Sequence, residues 1–285
     1  MRSVLVLTLA LWPAMTAAEE VAGADAVFDG DLGHCTERPW DAAFADCLAT
    51  LGAPEPAVSF AERLLSDPDI ASAGVLTGFD DRGLVDLGIV TFPAMANGNQ
   101  QVLFLNGTPP LLSPMAFAFD PPTDRAAMAL RASHPDAMSA GPPEAAGYRD
   151  LPGGEQRFVL TDRITDGCRA CAVLAMQVGY ADFSDGALTD SRVAAWVAPE
   201  VALDGEAALA AMLAGDAAVL QYRLLVAGHD TGPADGVTGP RTLAELDAFL
   251  AANCLPPRAA EPEVREPALR ALAGLDGSAC GGMAD

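Results

Sequence analysis

Positive charge is scarce in this chain. Sixteen Lys and Arg stand against 39 Asp and Glu, giving a net charge of −23 over 285 residues. So acidic a surface is repelled by phosphate backbones and anionic bilayers, so nucleic acid is excluded as a partner. The acidic residues are spread along the chain without a block, which describes a surface and not a tail. Histidine is scarcer still: His34, His134 and His229 are scattered without ligand spacing, too few for a zinc amidase or peptidase. No Gly-Lys-Ser phosphate loop and no Gly-x-Ser-x-Gly elbow occurs. No cofactor or metal is expected. Beyond the first residues, no apolar run is long enough to span a bilayer, so no stable membrane insertion is expected once a signal is cleaved.

What is present begins with a secretory signal over residues 1–18. Arg2 supplies its positive end, the apolar core from Val4 to Leu11 is too short for a membrane span, and Thr16-Ala17-Ala18 precedes a cut ahead of Glu19. Residues 19–38, rich in Gly, Asp and Ala, read as a loose lead-in. Trp40, Phe44 and Leu48 recur at helical spacing, and a second helix follows Pro54 with Val58, Ala61 and Leu65 on one side. The period then changes. Residues 85–92 and 101–105 read as strands, Asn106-Gly107 as a turn, and Leu111-Leu112 as the start of a third strand. Asn97-Gly98-Asn99 between the first two reads as a turn. Residues 120–154, heavy in Pro, Gly and Ala with a weak helical pattern near Arg125 to Arg131, read as a long irregular insertion. Strands return at 157–161, 172–183 and 188–197, the last two joined by Ser184-Asp185-Gly186.

The expected class is therefore α+β. A central domain over 39–199 has helices first and then a mostly antiparallel sheet of about five strands, and a small all-α module follows over 203–280, its first helix capped by Asp204. Residues 256–267 read as a Pro- and charge-rich excursion before a short terminal helix. Six cysteines in an exported chain point to disulfides, of which fifteen pairings are possible. Proximity favours Cys35 with Cys47, Cys168 with Cys171, and Cys254 with Cys280. An oxidising compartment outside the cytoplasm, periplasmic or extracellular, follows from both signals.

The stretch from Ala217 to Leu250 carries the most specific pattern. A helix with Leu220, Leu224 and Leu225 ends at Gly228, which tolerates the left-handed conformation. Asp235-Gly236 suits a tight turn, Pro240 suits a first helical position, and Leu243, Leu246, Phe249 and Leu250 then repeat at helical spacing. This arrangement resembles the three-helix peptidoglycan-binding module of many bacterial cell-wall enzymes. The resemblance covers about an eighth of the chain, or a quarter with its flanks. It implies a partner, peptidoglycan glycan or stem peptide, held on the turn-rich loop and the helix after it. The positions there are His229, Asp230, Asp235, Arg241 and Thr242, with Arg241 able to fork two hydrogen bonds to a stem-peptide carboxylate. Family members often carry Gln after the aromatic of the last helix, where this chain has Leu250.

Chemistry beyond binding has few candidates. Thr165-Asp166-Gly167-Cys168-Arg169 is distantly similar to the nucleophile motif of L,D-transpeptidases, but Asp166 stands where an imidazole must accept the thiol proton. Cys168-Arg169-Ala170-Cys171 lacks the His of a haem attachment site, and a strand, not a helix, follows it. Glu55, Glu62, Asp86 and Asp162 could serve a glycosidase pair, yet free carboxylates are ordinary in so acidic a chain. The expectation is a non-enzymatic, exported, wall-binding protein. The alternatives are a wall hydrolase or transpeptidase with its site in the central domain, and an interaction protein whose module is only structural.

Overall fold

A computed structural model describes residues 20–37, 43–96, 99–116, 121–258 and 262–275. The expected signal segment, Trp40, Asn97, Gly98 and Cys280 lie outside those residues. Among the described residues the chain is α+β, with two antiparallel sheets where a single sheet of about five strands was expected.

The first sheet runs β1 (Val75–Asp80), β2 (Asp86–Thr91), β3 (Gln100–Leu105) and β4 (Leu111–Leu112) in chain order. Helices α1 (Ala43–Thr50) and α2 (Glu55–Ser66) pack on it. Phe60 and Leu64 of α2 meet Leu76, Val90, Phe92 and Leu103, all fully buried or nearly so. Val58 and Leu65 are only partly buried, so the core face is Ala57, Phe60, Ala61 and Leu64, one position off the expected stripe. The lead-in is not loose over 20–37. The Asn106 amide donates to Ala22 O at 2.8 Å and accepts from Val21 N at 2.7 Å, Phe28 N donates to Leu76 O, and Cys35 is bonded to Cys47 of α1. Asn106 itself takes φ 64°, a conformation asparagine tolerates.

The second sheet is larger: β5 (Ala137–Ser139), β7 (Glu155–Asp166), β8 (Val173–Ser184) and β9 (Ala187–Val197), with β6 (Glu144–Leu151) also on β7. The expected irregular insertion thus holds β5, β6 and α3 (Arg125–Ser133), whose N-terminus is capped by the Asp124 carboxylate. Both β5 and β6 pair with the same edge of β7, one after the other, and leave a gap at residues 140–143 beside Asp162.

The two faces of this sheet have different partners. Phe158 and Phe183 meet Phe104 of the first sheet with ring centroids 5.0 Å apart in each case, a tilted and edge geometry that aromatic quadrupoles prefer. Gln156 ties the sheets further, donating to Arg82 O and accepting from Val85 N. On the opposite face Val159, Val178 and Tyr180 pack against Tyr222, Leu225 and Val226 of the C-terminal helices.

Those helices number four among the described residues, the three of the expected unit and the terminal one: α4 (Gly205–Leu213), α5 (Ala217–Val226), α6 (Pro240–Ala252) and α7 (Pro262–Leu272). The last begins inside the expected excursion and runs through Pro267. Pro240 starts α6, and Gly228 ends α5 at φ 81°, both as the sequence pattern requires. The Asp204 side chain makes no cap bond to α4, whereas Asp216 caps α5 through Ala218 N and Val219 N. Cys254 is disulfide-bonded. The bonds at Cys35–Cys47 and Cys168–Cys171 place the protein in an oxidising, exported compartment. No helix among the described residues is long and apolar enough to cross a membrane.

Candidate functional site

The loop between α5 and α6 is organised by a residue the sequence reading did not single out. Gln221, fully buried on α5, donates to the Asp235 carboxylate at 3.0 Å and to Val237 O at 3.1 Å, and its carbonyl accepts from Gly236 N at 2.9 Å. Asp235 also accepts from Val237 N, and these bonds, Gln221 first, hold its pKa below the usual carboxylate range. Thr242 is 2 % exposed, with its hydroxyl accepting from the same Gln221. His229 is also 2 % exposed. Its Nδ1 lies 3.1 Å from Glu245 and its ring packs on Phe249. Burial, followed by the charges of Arg149 and Arg157, pushes its pKa down to about 3. The carboxylate by itself would favour a charged ring, but it is outweighed, so the neutral imidazole donates its Nδ1 proton to Glu245.

Of the five residues expected to meet a wall ligand, then, His229 and Thr242 have no surface to offer and Asp235 holds the turn. Asp230 and Arg241 hold each other: the Arg241 guanidinium reaches the Asp230 carboxylate at 2.6 Å and its Nε donates to Asp230 O at 2.8 Å. The Arg241 side chain is still 60 % exposed, and Val237, at 65 %, and Thr238 of the same loop are exposed too.

The inner edge of the same loop docks on the second sheet through arginines. The Gly228 carbonyl accepts from Arg149 and Arg157, each at 3.2 Å. Cations belong there because the carbonyls at a helix C-terminus carry partial negative charge. Arg157 also forks onto Asp182 of β8 with two bonds of 2.7 Å and lies 4.5 Å over the Tyr180 ring. Tyr180 donates to Leu225 O at 3.1 Å, and Arg192 of β9 reaches Asp182 at 3.2 Å and Asp230 at 3.5 Å. Every basic residue in the chain other than histidine is arginine, and this junction uses its planar fork repeatedly. A charged residue at an inward position of an apolar strand, Arg157 opposite Asp182, was the available signal.

A second feature lies on the other face of that sheet. Past the aromatic contact, the face continues as Asp162, Gln177 and Trp196, neighbours across three strands, with Gln177 buried and the other two half-buried. A cavity of about 760 Å³ opens above them, walled by α3, β5 and the turn at Pro114–Ala116. Three exposed methionines line it, Met115, Met128 and Met138, together with Arg131 and His134. The Trp196 indole donates to Gln177 at 2.9 Å. The Asp162 carboxylate accepts from the Ser139 hydroxyl and, at 2.6 Å, from Arg163 N. Burial raises its pKa against those two bonds. His134 sits 3.4 Å from Asp166.

The cysteine motif has no role in either place. Cys168 and Cys171 are bonded to each other, so no thiolate exists for transpeptidation. Among the described residues one group of His and Cys lies close enough for a metal, His34 with Cys35 and Cys47, but both sulfurs are joined in a disulfide. Of the four carboxylates considered from sequence, Asp86 is buried and accepts from Arg82 N and Asn106, a structural role, and Asp162 lines the cavity. No family model, curated protein or solved structure matches this chain.

Proposed function

We propose that the protein is an exported cell-envelope component that binds peptidoglycan through the outer edge of its C-terminal loop, in a binding and not a catalytic role. The resemblance of residues 217–250 to the wall-binding module supports the reading. The observation that carries it is Arg241: a guanidinium more than half exposed, fixed in direction by Asp230, at the first turn of α6. There it can meet a stem-peptide carboxylate alongside the free backbone donors of a helix start. The loop behind it is already rigid through Gln221, so little ordering entropy opposes binding. With a net charge of −23, long-range attraction to an anionic wall contributes nothing, and the contact must be short-range. Wall contact would place the protein in the periplasm or on the outer surface.

A second reading is favoured by the docking of Gly228, His229 and Asp230 onto the sheet: the module is a buttress that has kept its fold without a ligand. Co-sedimentation of the full-length mature protein with purified sacculi separates the two. Binding by the wild type that drops roughly tenfold in Arg241→Ala, the scale of one lost charge-assisted contact, at unchanged melting temperature, supports wall binding. Wild-type protein that stays in the supernatant leaves the buttress.

A further inference from the structure

The cavity on the second sheet carries an inference independent of wall binding. Its two free charges are opposite in sign and face the same space. Asp162 on β7 and Arg131 on α3 both line it, and neither has an ion-pair partner within 4.0 Å among the described residues. His134, the other basic side chain there, lies 3.4 Å from Asp166. A partly buried carboxylate whose pKa burial raises, against two hydrogen bonds and the charge of Arg163, gains more than a solvated one from a ligand cation. The same cavity is lined by thioether and indole surfaces, Met115, Met128, Met138 and Trp196. Methionine side chains adapt to varied apolar shapes, and three exposed ones converging from three separate elements on one hollow is not how a chain spends them on solubility. The volume matches sites for small organic ligands and is far larger than an ion requires.

We infer that this cavity binds a short apolar peptide as its zwitterion, with the terminal ammonium on Asp162, the terminal carboxylate toward Arg131, and apolar side chains among the methionines and Trp196. No bond is made or broken. The two termini supply the missing partners, and the methionines accommodate side chains without selecting one. Specificity thus rests on the ends and not on the sequence of the peptide.

Calorimetry on the full chain with three related probes tests it. Leucyl-leucine carries both charges, N-acetyl-leucyl-leucine lacks the cation, and leucyl-leucinamide lacks the anion. The expected order has leucyl-leucine tightest, with each blocked probe weaker by roughly tenfold, the scale of one lost charge-assisted contact. Asp162→Asn keeps an acceptor for Arg163 N, and its amide N–H can donate to the Ser139 hydroxyl in place of the bond the carboxylate accepted, so it should abolish only the preference for a free amino end. Arg131→Gln, on an exposed helix position, should abolish only the preference for a free carboxylate. Equal binding of all three probes, or no heat with any of them, overturns the inference. So does a preference that survives its matching variant. Loss of sacculus binding in Arg241→Ala would leave this result unchanged, so the two sites fail separately.

Discussion

His229 follows the residue before it, Gly228, whose left-handed turn aims it inward, and its chemistry is set by what covers it. An unburied histidine takes up its proton near pH 6.5. The folded ring resists until about pH 3, because charging it means desolvation next to Arg149 and Arg157. Between those values the unfolded chain holds a proton that the folded one does not. Stability therefore falls as pH drops from about 6.5 toward 3, and this residue imposes no loss above that window. The loss at the acid end is on the order of a few kcal/mol. Urea midpoints measured from pH 8 to pH 4 should fall more steeply for the wild type than for His229→Gln, with the gap in slope opening below pH 6.5. Parallel curves would mean that the ring titrates like a solvated one. The same burial explains why the expected ligand face lost two members: periodicity places His229 and Thr242 on the loop and helix start, but the side of each that faces the core depends on Gln221 and Glu245, which local pattern does not reveal.

Helix ends show how far a local pattern reaches. Asp216 and Asp204 each precede a helix in the C-terminal unit and read alike from sequence. Only Asp216 accepts from the two free N–H groups of its helix, at 3.0 and 3.1 Å. Asp216→Ala should cost about 1 kcal/mol of unfolding free energy, and Asp204→Ala less than about 0.5 kcal/mol, as measured by urea denaturation. Equal losses would mean that Asp204 caps in solution. Legibility follows the same division. Strands with strong apolar content, β2, β3, β8 and β9, are readable, as are the Gly228 and Pro240 boundaries. β6 is not, because most of its side chains are exposed or half-exposed and it lacks an alternating apolar face. β1 falls between Pro68 and Gly83 with Gly78 at its centre, and of α7 only the part before Pro267 is hidden. The cavity was hidden for a related reason: its walls come from the segment whose composition imitates a loop, and its floor is a strand face that only pairing reveals.

At the scale of the whole molecule, the C-terminal helices are built into the second sheet and do not hang from it by a linker. Their contact is close at one point in particular. A β-carbon placed on Gly147 of β6 would lie 2.1 Å from the Val226 carbonyl oxygen, a backbone atom that cannot rotate away. Gly147 is followed two residues on by Arg149, which binds the Gly228 carbonyl, so the glycine sets the distance at which the arginine hub works. Gly147→Ala must push β6 and the end of α5 apart, lengthening the bonds from Arg149 and Arg157 and unsealing Tyr180 from Leu225. Overpacking of this kind costs about 1–3 kcal/mol, and here it acts on an interface that couples sheet to helices. Differential scanning calorimetry of the wild type should show a single cooperative transition. Gly147→Ala should melt lower and resolve into two transitions, the helices separating from the sheets. Gly141→Ala is the control, since a β-carbon there meets nothing within 4 Å, and it should melt as the wild type does. Two transitions already present in the wild type, or a Gly147→Ala variant indistinguishable from it, would show that the helices are an independent unit and that the arginine junction is a surface contact of little weight.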